Sequence, residues 1–270
     1  MYQRQGKFTP VIMFKPETAE DHLAVKQLDK LYREVERTMD TERSRQQQIG
    51  VSEIGNDCDK CVARKLAMLE PKESSPSWRA QVGTFIHAGL EQHFEDISDA
   101  AALDPARKVT NEDPAYVAEM RLKIWEYKGF TLSGSCDLFV KGSTFGLVCD
   151  WKTQGAAKLK ATASGKIPPY YIVQMHTYGL GYEQLGFTPT HVTLFALPRD
   201  GDLFESKPVL WRWDRQIAID ALARLKRLID AAEIVGWPMV IDAQDSASSC
   251  YDCKRFHETS DRDVLAGLTD

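Results

Sequence analysis

The sequence predicts an α/β protein whose central mixed β-sheet is flanked by helices. Apolar residues recur every three to four positions over 78–97, 170–185 and 214–235, as they do on amphipathic helices. Short apolar runs bounded by turn residues predict strands over 130–140, 145–151, 191–197 and 209–213. Helix and strand signals that alternate along one chain are typical of a sheet covered by helices.

Length and charge limit the classes of protein that the chain can represent. With 270 residues, 43% hydrophobic and 27% charged, it can bury the core of one large domain with extensions. The formal net charge of −5 excludes a global basic field, so any nucleic-acid surface must be a local patch. Residues 1–10 lack an apolar stretch of signal-peptide length, and no apolar run approaches the ~18 residues of a membrane span. We therefore expect a cytoplasmic protein without a membrane partner.

Three segments are expected along the chain. Residues 1–50 form an N-terminal helical extension, because apolar residues recur at helical spacing from about 17 to 48 and Gly50 ends the pattern. Residues 51–257 form the main domain, and 258–270 a C-terminal tail. Within the main domain, residues 154–169 combine lysines with small residues, glycine and proline, which indicates a positively charged loop.

Four of the six cysteines form two C-x-x-C pairs. Cys58 and Cys61 precede the predicted core, and Cys250 and Cys253 follow it. In a reducing compartment such pairs are typical of metal ligands rather than disulfides. Four thiolates satisfy a tetrahedral zinc ion or a cubane iron-sulfur cluster equally well. A shared metal would join the N- and C-terminal segments of the domain and add binding free energy to folding.

A second group of polar residues surrounds the predicted hairpin. Asp150 and Lys152 lie two residues apart at the end of a strand, so their side chains share a face. The turn at 141–144 brings Asp137 opposite Asp150 on the neighbouring strand. His87 lies on the preceding helix. Taken singly, these residues would be a strand-end ion pair and a partly buried histidine, but they occur together on consecutive predicted elements.

The helix that follows adds Gln174 and Tyr178, which are four residues apart and share a face. The segments GTFIHAGLE, GSCDLFV, LVCDWKTQ and QMHTY then carry, in order, a histidine, two acids, a lysine and this Q-x-x-x-Y pair. This order resembles the PD-(D/E)XK nuclease superfamily, in its RecB-like branch. Within that branch the sequence is most similar to the iron-sulfur exonucleases, which include the AddB nuclease domain, CRISPR-associated RecB-like exonucleases and phage relatives.

The resemblance implies a restriction-endonuclease-like core and a metal-dependent deoxyribonuclease, with single-stranded DNA or DNA ends as the substrate. Mg²⁺ or Mn²⁺ would be held by His87, Asp137 and Asp150, with the carbonyl of Trp151 completing the ligand set. Oxygen donors with one imidazole suit these ions. Lys152 would assist the attacking water. If the gene belongs to a phage, the location would be the host cytoplasm, and recombination, repair or replication proteins would be possible partners.

The same resemblance implies roles for residues outside the metal shell. Gln174 would hold the lysine or the water, and Tyr178 would contact the nucleic-acid strand. Lys158 and Lys160 would line a basic groove for DNA.

The identity of the cysteine-bound group and the activity each have an alternative. The family implies a [4Fe-4S] cluster, but its members mostly place one cysteine before the core and three after it. Here the arrangement is two and two, which keeps structural Zn²⁺ as the alternative. Instead of an enzyme, the chain could be a non-catalytic DNA-binding or assembly module, or a redox-sensing protein built around the cysteine-ligated cluster.

Overall fold

The computed structural model describes residues 15, 17–19, 27, 49–69, 77–98, 103–244, 250, 253 and 256. The chain divides into two compact units. The first comprises residues 1–45 and 73–84, and the second comprises 46–72 and 85–270. The predicted helix over 17–48 lies almost wholly outside the described residues. The predicted tail over 258–270 lies wholly outside them. In the first unit, residues 78–84 form the beginning of a helix that extends into the second.

The second unit contains a five-stranded mixed sheet in the order β1-β2-β3-β4-β5. Its strands are β1 (Ala115–Tyr127), β2 (Phe130–Lys141), β3 (Gly146–Gln154), β4 (His191–Pro198) and β5 (Lys207–Arg212). Only the β3–β4 pair is parallel, and the other three pairs are antiparallel. The α/β fold class with a mixed central sheet is therefore confirmed.

Helices cover this sheet and supply the crossover that a parallel strand pair requires. Those with described bounds are α1 (Asp59–Leu66), α2 (Trp78–Ile97), α3 (Ala156–Ala163), α4 (Pro169–Gln184), α5 (Arg215–Val235) and α6 (Trp237–Ala243). A 3-10 helix, Leu203–Glu205, lies in the β4–β5 connection. The side chain of Asp214 caps α5 by accepting from the Gln216 N–H, and Gly236 (φ 80°) ends this helix. No helix in the described part of the chain is both long and apolar enough to cross a membrane.

The two faces of the sheet bury different clusters. The main core joins α4 and α5 to side chains such as Leu132, Phe139 and Val148. A smaller cluster on the other face contains Leu138 and Trp151, with apolar residues of α2 packed against it.

The region over 154–169 differs from its prediction as a charged loop. Residues 156–163 form the helix α3, whose buried residues are Leu159 and Thr162. The sequence AAKLKATA is rich in alanine and lysine, which are strong helix formers, and the nearby Gly165 and Pro168 only bound the helix. The short helix α6 was not predicted.

Candidate active site and thiolate centre

The site is centred on a gap in the ladder between β2 and β3. The two strands pair from Lys141↔Gly146 to Leu138↔Cys149, and the next residues in register are Asp137 and Asp150. There the carboxylate of Asp137 accepts a hydrogen bond from the Trp151 main-chain N–H at 2.6 Å. A carboxylate oxygen of Asp137 thus replaces a main-chain carbonyl as the acceptor at this level of the ladder. Asp137 and Asp150 lie at the same level of the two strands, as the predicted hairpin implies.

Helix α2 brings His87 to this gap. Its Nδ1 lies 3.5 Å from Oδ1 of Asp137, and the two side chains are 29% and 12% exposed. The contact with Asp137 raises the pKa of His87, against the lowering effect of burial. Asp137 therefore uses one oxygen for the Trp151 amide and presents the other towards the imidazole.

Asp150 and Lys152 form an ion pair on the same strand. The Lys152 Nζ lies 2.7 Å from Oδ1 and 2.6 Å from Oδ2 of Asp150, whose side chain is 2% exposed. Burial raises the pKa of Asp150 to about 6, although Lys152 acts in the opposite direction. Burial lowers the pKa of Lys152, and the charges of Asp150 and Asp137 more than offset this, so that the net shift is upward. A lone ammonium thus faces two carboxylates.

Glu119 is a residue of the site that the sequence analysis missed. It lies on β1 between Ala118, which pairs with Leu138, and Met120, which pairs with Cys136, so it lies opposite Asp137. One ligand atom each of His87, Glu119 and Asp137 lie within 4.8 Å of one another. Burial, followed by the charges of Asp137 and Glu91, raises the pKa of Glu119 to about 7. The sequence pattern over 116–125 is ambiguous, because the alternation of β1 breaks at Glu119, whose φ is 43°.

The Q-x-x-x-Y pair of α4 lies in the protein interior. Gln174 is 6% exposed and its Oε1 has no hydrogen-bond partner among the described residues. Tyr178 is 5% exposed, and its hydroxyl lies 3.0 Å from the position of a Cβ built on Gly134. The Tyr178 ring is packed against Gly134 of β2, and its contact with a nucleic-acid strand stays a prediction. The four-residue spacing correctly predicted that Gln174 and Tyr178 share a helix face, but it did not predict that this face is buried.

The predicted basic residues lie on helix α3. Lys158 and Lys160 are exposed. The Lys158 Nζ donates to the Tyr171 hydroxyl at 2.6 Å and lies 4.8 Å from the centre of its ring. The Lys152 Nζ lies 5.4 Å from the centre of the same ring. The Tyr171 ring thus lies between half-buried Lys152 of the site and exposed Lys158 on α3, whereas Lys160 has no described contact with the site.

Trp151 is placed by its side chain as well as by its amide. The indole is 8% exposed, is stacked on Phe94 of α2 at 5.9 Å and meets the Phe195 ring edge-on at 5.1 Å. This aromatic contact joins β3 to the helix that carries His87. It holds the main chain of Trp151 beside Asp137.

These donors match a hard divalent cation. Carboxylate oxygens from adjacent strands are the ligand type preferred by Mg²⁺ and Mn²⁺, and the additional imidazole suits Mn²⁺ better than Mg²⁺. Glu119, Asp137 and Asp150 supply three carboxylates near the half-buried ammonium of Lys152, and the pKa values of Glu119 and Asp150 are raised. A cation would relieve this excess of negative charge.

The four paired cysteines converge at a separate position, as expected. Their Sγ atoms all lie within 4.8 Å of one another. The distances are 3.5 Å for Cys58–Cys253, 3.6 Å for Cys61–Cys250 and 3.3 Å for Cys61–Cys253. Four sulfurs around one ion at ~2.3 Å would be about 3.8 Å apart by tetrahedral geometry. The thiolates of a cubane bind four different irons and stand further apart than those around a single ion.

The polypeptide around these thiols is tightly held. Cys58 is the N-cap of α1, and its N–H donates to Asn56 Oδ1 at 2.9 Å. Arg224 of α5 forms an ion pair with Asp59 and donates to the Asn56 carbonyl. Cys58 and Cys61 are buried. Helix α5 therefore fixes the first C-x-x-C pair independently of the second. The remaining cysteines, Cys136 and Cys149, are buried on the sheet and take no part in this centre.

No protein-family model and no curated protein matches the sequence. Among solved structures, an alkaline exonuclease from Laribacter hongkongensis is 13% identical with a TM-score of 0.41, over 74% of this chain and 95% of that chain. The same exonuclease in complex with dAMP gives 14% identity and a TM-score of 0.43, with the same coverage. A candidate exonuclease from Eubacterium rectale is 12% identical with a TM-score of 0.42, over 84% of this chain and 96% of that chain. Similarity at this level says nothing about the function of this chain.

Proposed function

We propose that this protein is a metal-dependent deoxyribonuclease of the RecB-like PD-(D/E)XK type that acts as an exonuclease on single-stranded DNA or DNA ends. One observation carries the proposal. The carboxylates of Asp137 and Asp150 and the ammonium of Lys152 meet at the end of the β2–β3 ladder, beside the imidazole of His87. A strand-end ion pair would not need the histidine or the second acid.

Each side chain has a role that its contacts support. His87, Asp137 and Asp150, with the Trp151 carbonyl, would hold Mg²⁺ or Mn²⁺. When bound, the cation neutralises charge on the phosphate and lowers the pKa of water. Lys152 orients the attacking water and offsets the negative charge that develops on the phosphate oxygens.

Residues around this centre would position the lysine and the DNA. The unpartnered Oε1 of Gln174 is a buried acceptor, suited to an ammonium or a water. Lys158, and more remotely Lys160, would bind phosphates of the strand. A cytoplasmic location, as expected from the sequence, agrees with a DNA substrate.

We further propose that the thiolate centre is a structural Zn²⁺ site rather than the [4Fe-4S] cluster that the family resemblance implies. The Sγ spacing of 3.3–3.6 Å and the symmetric two-and-two arrangement of cysteines support a single tetrahedral ion. The ion would connect α1, which follows Cys58, to residues 250–253 near the end of the domain.

The nuclease proposal is tested with end-labelled linear and circular single-stranded DNA in the presence of Mn²⁺. We expect degradation of the linear substrate, survival of the circle, and a loss of roughly 100-fold or more in Lys152→Met. Lys123→Met, on β1 with a side chain that is 62% exposed, is the matched control and should cleave normally.

Other outcomes would point to the alternatives. DNA binding by the wild-type protein without cleavage in Mn²⁺ would favour a binding or assembly module. Cleavage of the circle would identify an endonuclease. Reversible redox titration of the thiolate centre, in a protein that neither binds nor cleaves DNA, would favour a redox sensor.

A further inference from the structure

Glu119 occupies a special position in the sheet. Before it on β1, Val117 belongs to the main core and Ala118 packs against the smaller cluster on the other face. After it, Leu122 and Ile124 belong to the main core. The core-facing positions thus change from odd to even numbers at Glu119, whose φ of 43° lies in the left-handed region. Because of this shift, the Glu119 side chain does not follow the regular alternation of side chains between the two faces of the sheet.

The partner strand changes phase at the same level. Cys136 and Phe139 both belong to the main core, while Leu138 belongs to the smaller cluster. Asp137 therefore also lies at a phase change, opposite Glu119. The paired irregularity places two carboxylates from neighbouring strands beside His87, with ligand atoms of all three residues within 4.8 Å.

This group of three differs from the ligand set that the sequence predicted. In the structure the Lys152 Nζ donates to Oδ1 of Asp150 at 2.7 Å and lies 2.6 Å from Oδ2, which has no hydrogen-bond partner among the described residues. Among the described residues, Glu119 has no ammonium or guanidinium group in an ion pair with it. A carboxylate that faces another carboxylate and an imidazole, without an ammonium of its own, is a better placed donor for a divalent ion.

We propose that Glu119 is a direct ligand of the divalent cation at His87 and Asp137. This inference rests on the proposed nuclease function for the role of the cation. The position of Glu119 beside His87 and Asp137 does not depend on Lys152. Glu119 would act on the ion itself, so its removal should weaken cation binding in the absence of DNA.

The experiment measures Mn²⁺ affinity of the DNA-free protein by isothermal titration calorimetry and by loss of the free-Mn²⁺ electron paramagnetic resonance signal. We expect Glu119→Gln to weaken Mn²⁺ binding by about tenfold or more. Glu119→Asn is the second variant, because asparagine tolerates a left-handed φ and so controls for backbone strain. Thermal unfolding in chelator verifies that each variant is folded.

Two matched glutamates separate coordination from charge. Glu91 lies one turn from His87 on α2 and its charge acts on Glu119, but it is outside the group of ligand atoms. Glu91→Gln should therefore weaken Mn²⁺ binding less than Glu119→Gln. Glu126→Gln, on β1 and paired with Lys123, should bind Mn²⁺ as the wild type does.

The outcomes for Glu119 and for the nuclease activity can be told apart. Wild-type Mn²⁺ affinity in both Glu119 variants would overturn the ligand proposal, as would an equal loss in Glu91→Gln. Neither result would affect the nuclease proposal if Lys152→Met still abolished cleavage. Conversely, a wild type that bound Mn²⁺ through Glu119 but never cleaved DNA would refute the nuclease and leave the ligand in place.

Discussion

The main-chain N–H of Trp151 donates a 2.6 Å hydrogen bond to the carboxylate of Asp137 across two neighbouring strands. This bond fixes the orientation of the acid and leaves its other oxygen 3.5 Å from His87 Nδ1. A backbone amide thus positions a side chain on which both the proposed cation site and the strand pairing depend.

This relationship predicts that Asp137→Asn separates structure from function. The amide oxygen of asparagine can still accept from Trp151, so we expect the melting temperature in chelator to change little. The lost charge should abolish cleavage and weaken Mn²⁺ binding by tenfold or more. Calorimetry and a DNA digestion assay measure the two effects. Normal cleavage, or an unfolded variant, would contradict this division of roles.

The ion pair between buried Asp150 and half-buried Lys152 predicts strong coupling between the two residues. Lys152→Met leaves the carboxylate of Asp150 buried without its counter-charge, which we expect to cost about 3 kcal/mol of unfolding free energy. The double variant Asp150→Asn with Lys152→Met should recover much of this loss, since no charge then remains unpaired. Urea denaturation in chelator measures the double-mutant cycle. Losses that simply add would show that the two residues do not interact.

The thiolate centre predicts a colourless protein with one zinc per chain after anaerobic purification. Cys61→Ser should lose the metal and lower the unfolding free energy by about 3 kcal/mol or more. Cys149→Ser is the control, because Cys149 is also buried but lies outside the centre, and its metal content should be unchanged. Brown protein with about four irons and sulfide per chain would establish the cluster instead.

His176 predicts a loss of stability in mild acid. It is 1% exposed, its Nδ1 accepts from the Asp214 N–H at 2.9 Å, and burial lowers its pKa. The unfolded chain therefore binds a proton more readily. The stabilisation is complete above the unfolded pKa of about 6.5 and is lost as the pH falls towards the folded pKa, by up to about 1.4 kcal/mol per pH unit.

Urea titrations between pH 7.5 and 5 measure this effect. His176→Asn retains an acceptor for the Asp214 amide but has no titratable group, so its stability should fall less steeply over this range. Parallel curves for the variant and the wild type would exclude His176 as the source.

Lys158 predicts a sequence-independent contribution to DNA binding. Lys158→Ala should weaken binding similarly for different single-stranded sequences, and should reduce the slope of log affinity against log salt by about 1. Lys226→Ala is the control, because Lys226 lies on α5 and is paired with Asp230. Fluorescence anisotropy in chelator, which prevents cleavage, measures both slopes. An unchanged slope in Lys158→Ala would remove α3 from the DNA path.

The sequence by itself determined the α/β class, the chain order of the strands β2 to β5, and the hairpin that brings Asp137 and Asp150 to comparable heights on adjacent strands. It also determined that Cys58, Cys61, Cys250 and Cys253 could share one metal. These features follow from local periodicity, turn chemistry and ligand spacing, which are all readable along the chain. The roles of the individual site residues remain predictions.

Only the tertiary structure decided three other features. Glu119 lies beside His87 and Asp137 because the alternation of side chains between the sheet faces shifts at the same level in β1 and β2. This depends on how the two strands pair and not on the sequence of either strand alone. Tyr178 is buried because α4 packs across β2, although its spacing alone would equally suit an exposed face. Three Sγ–Sγ distances between the two C-x-x-C pairs are 3.3–3.6 Å because segments nearly two hundred residues apart meet there. The spacing within either pair could not specify this.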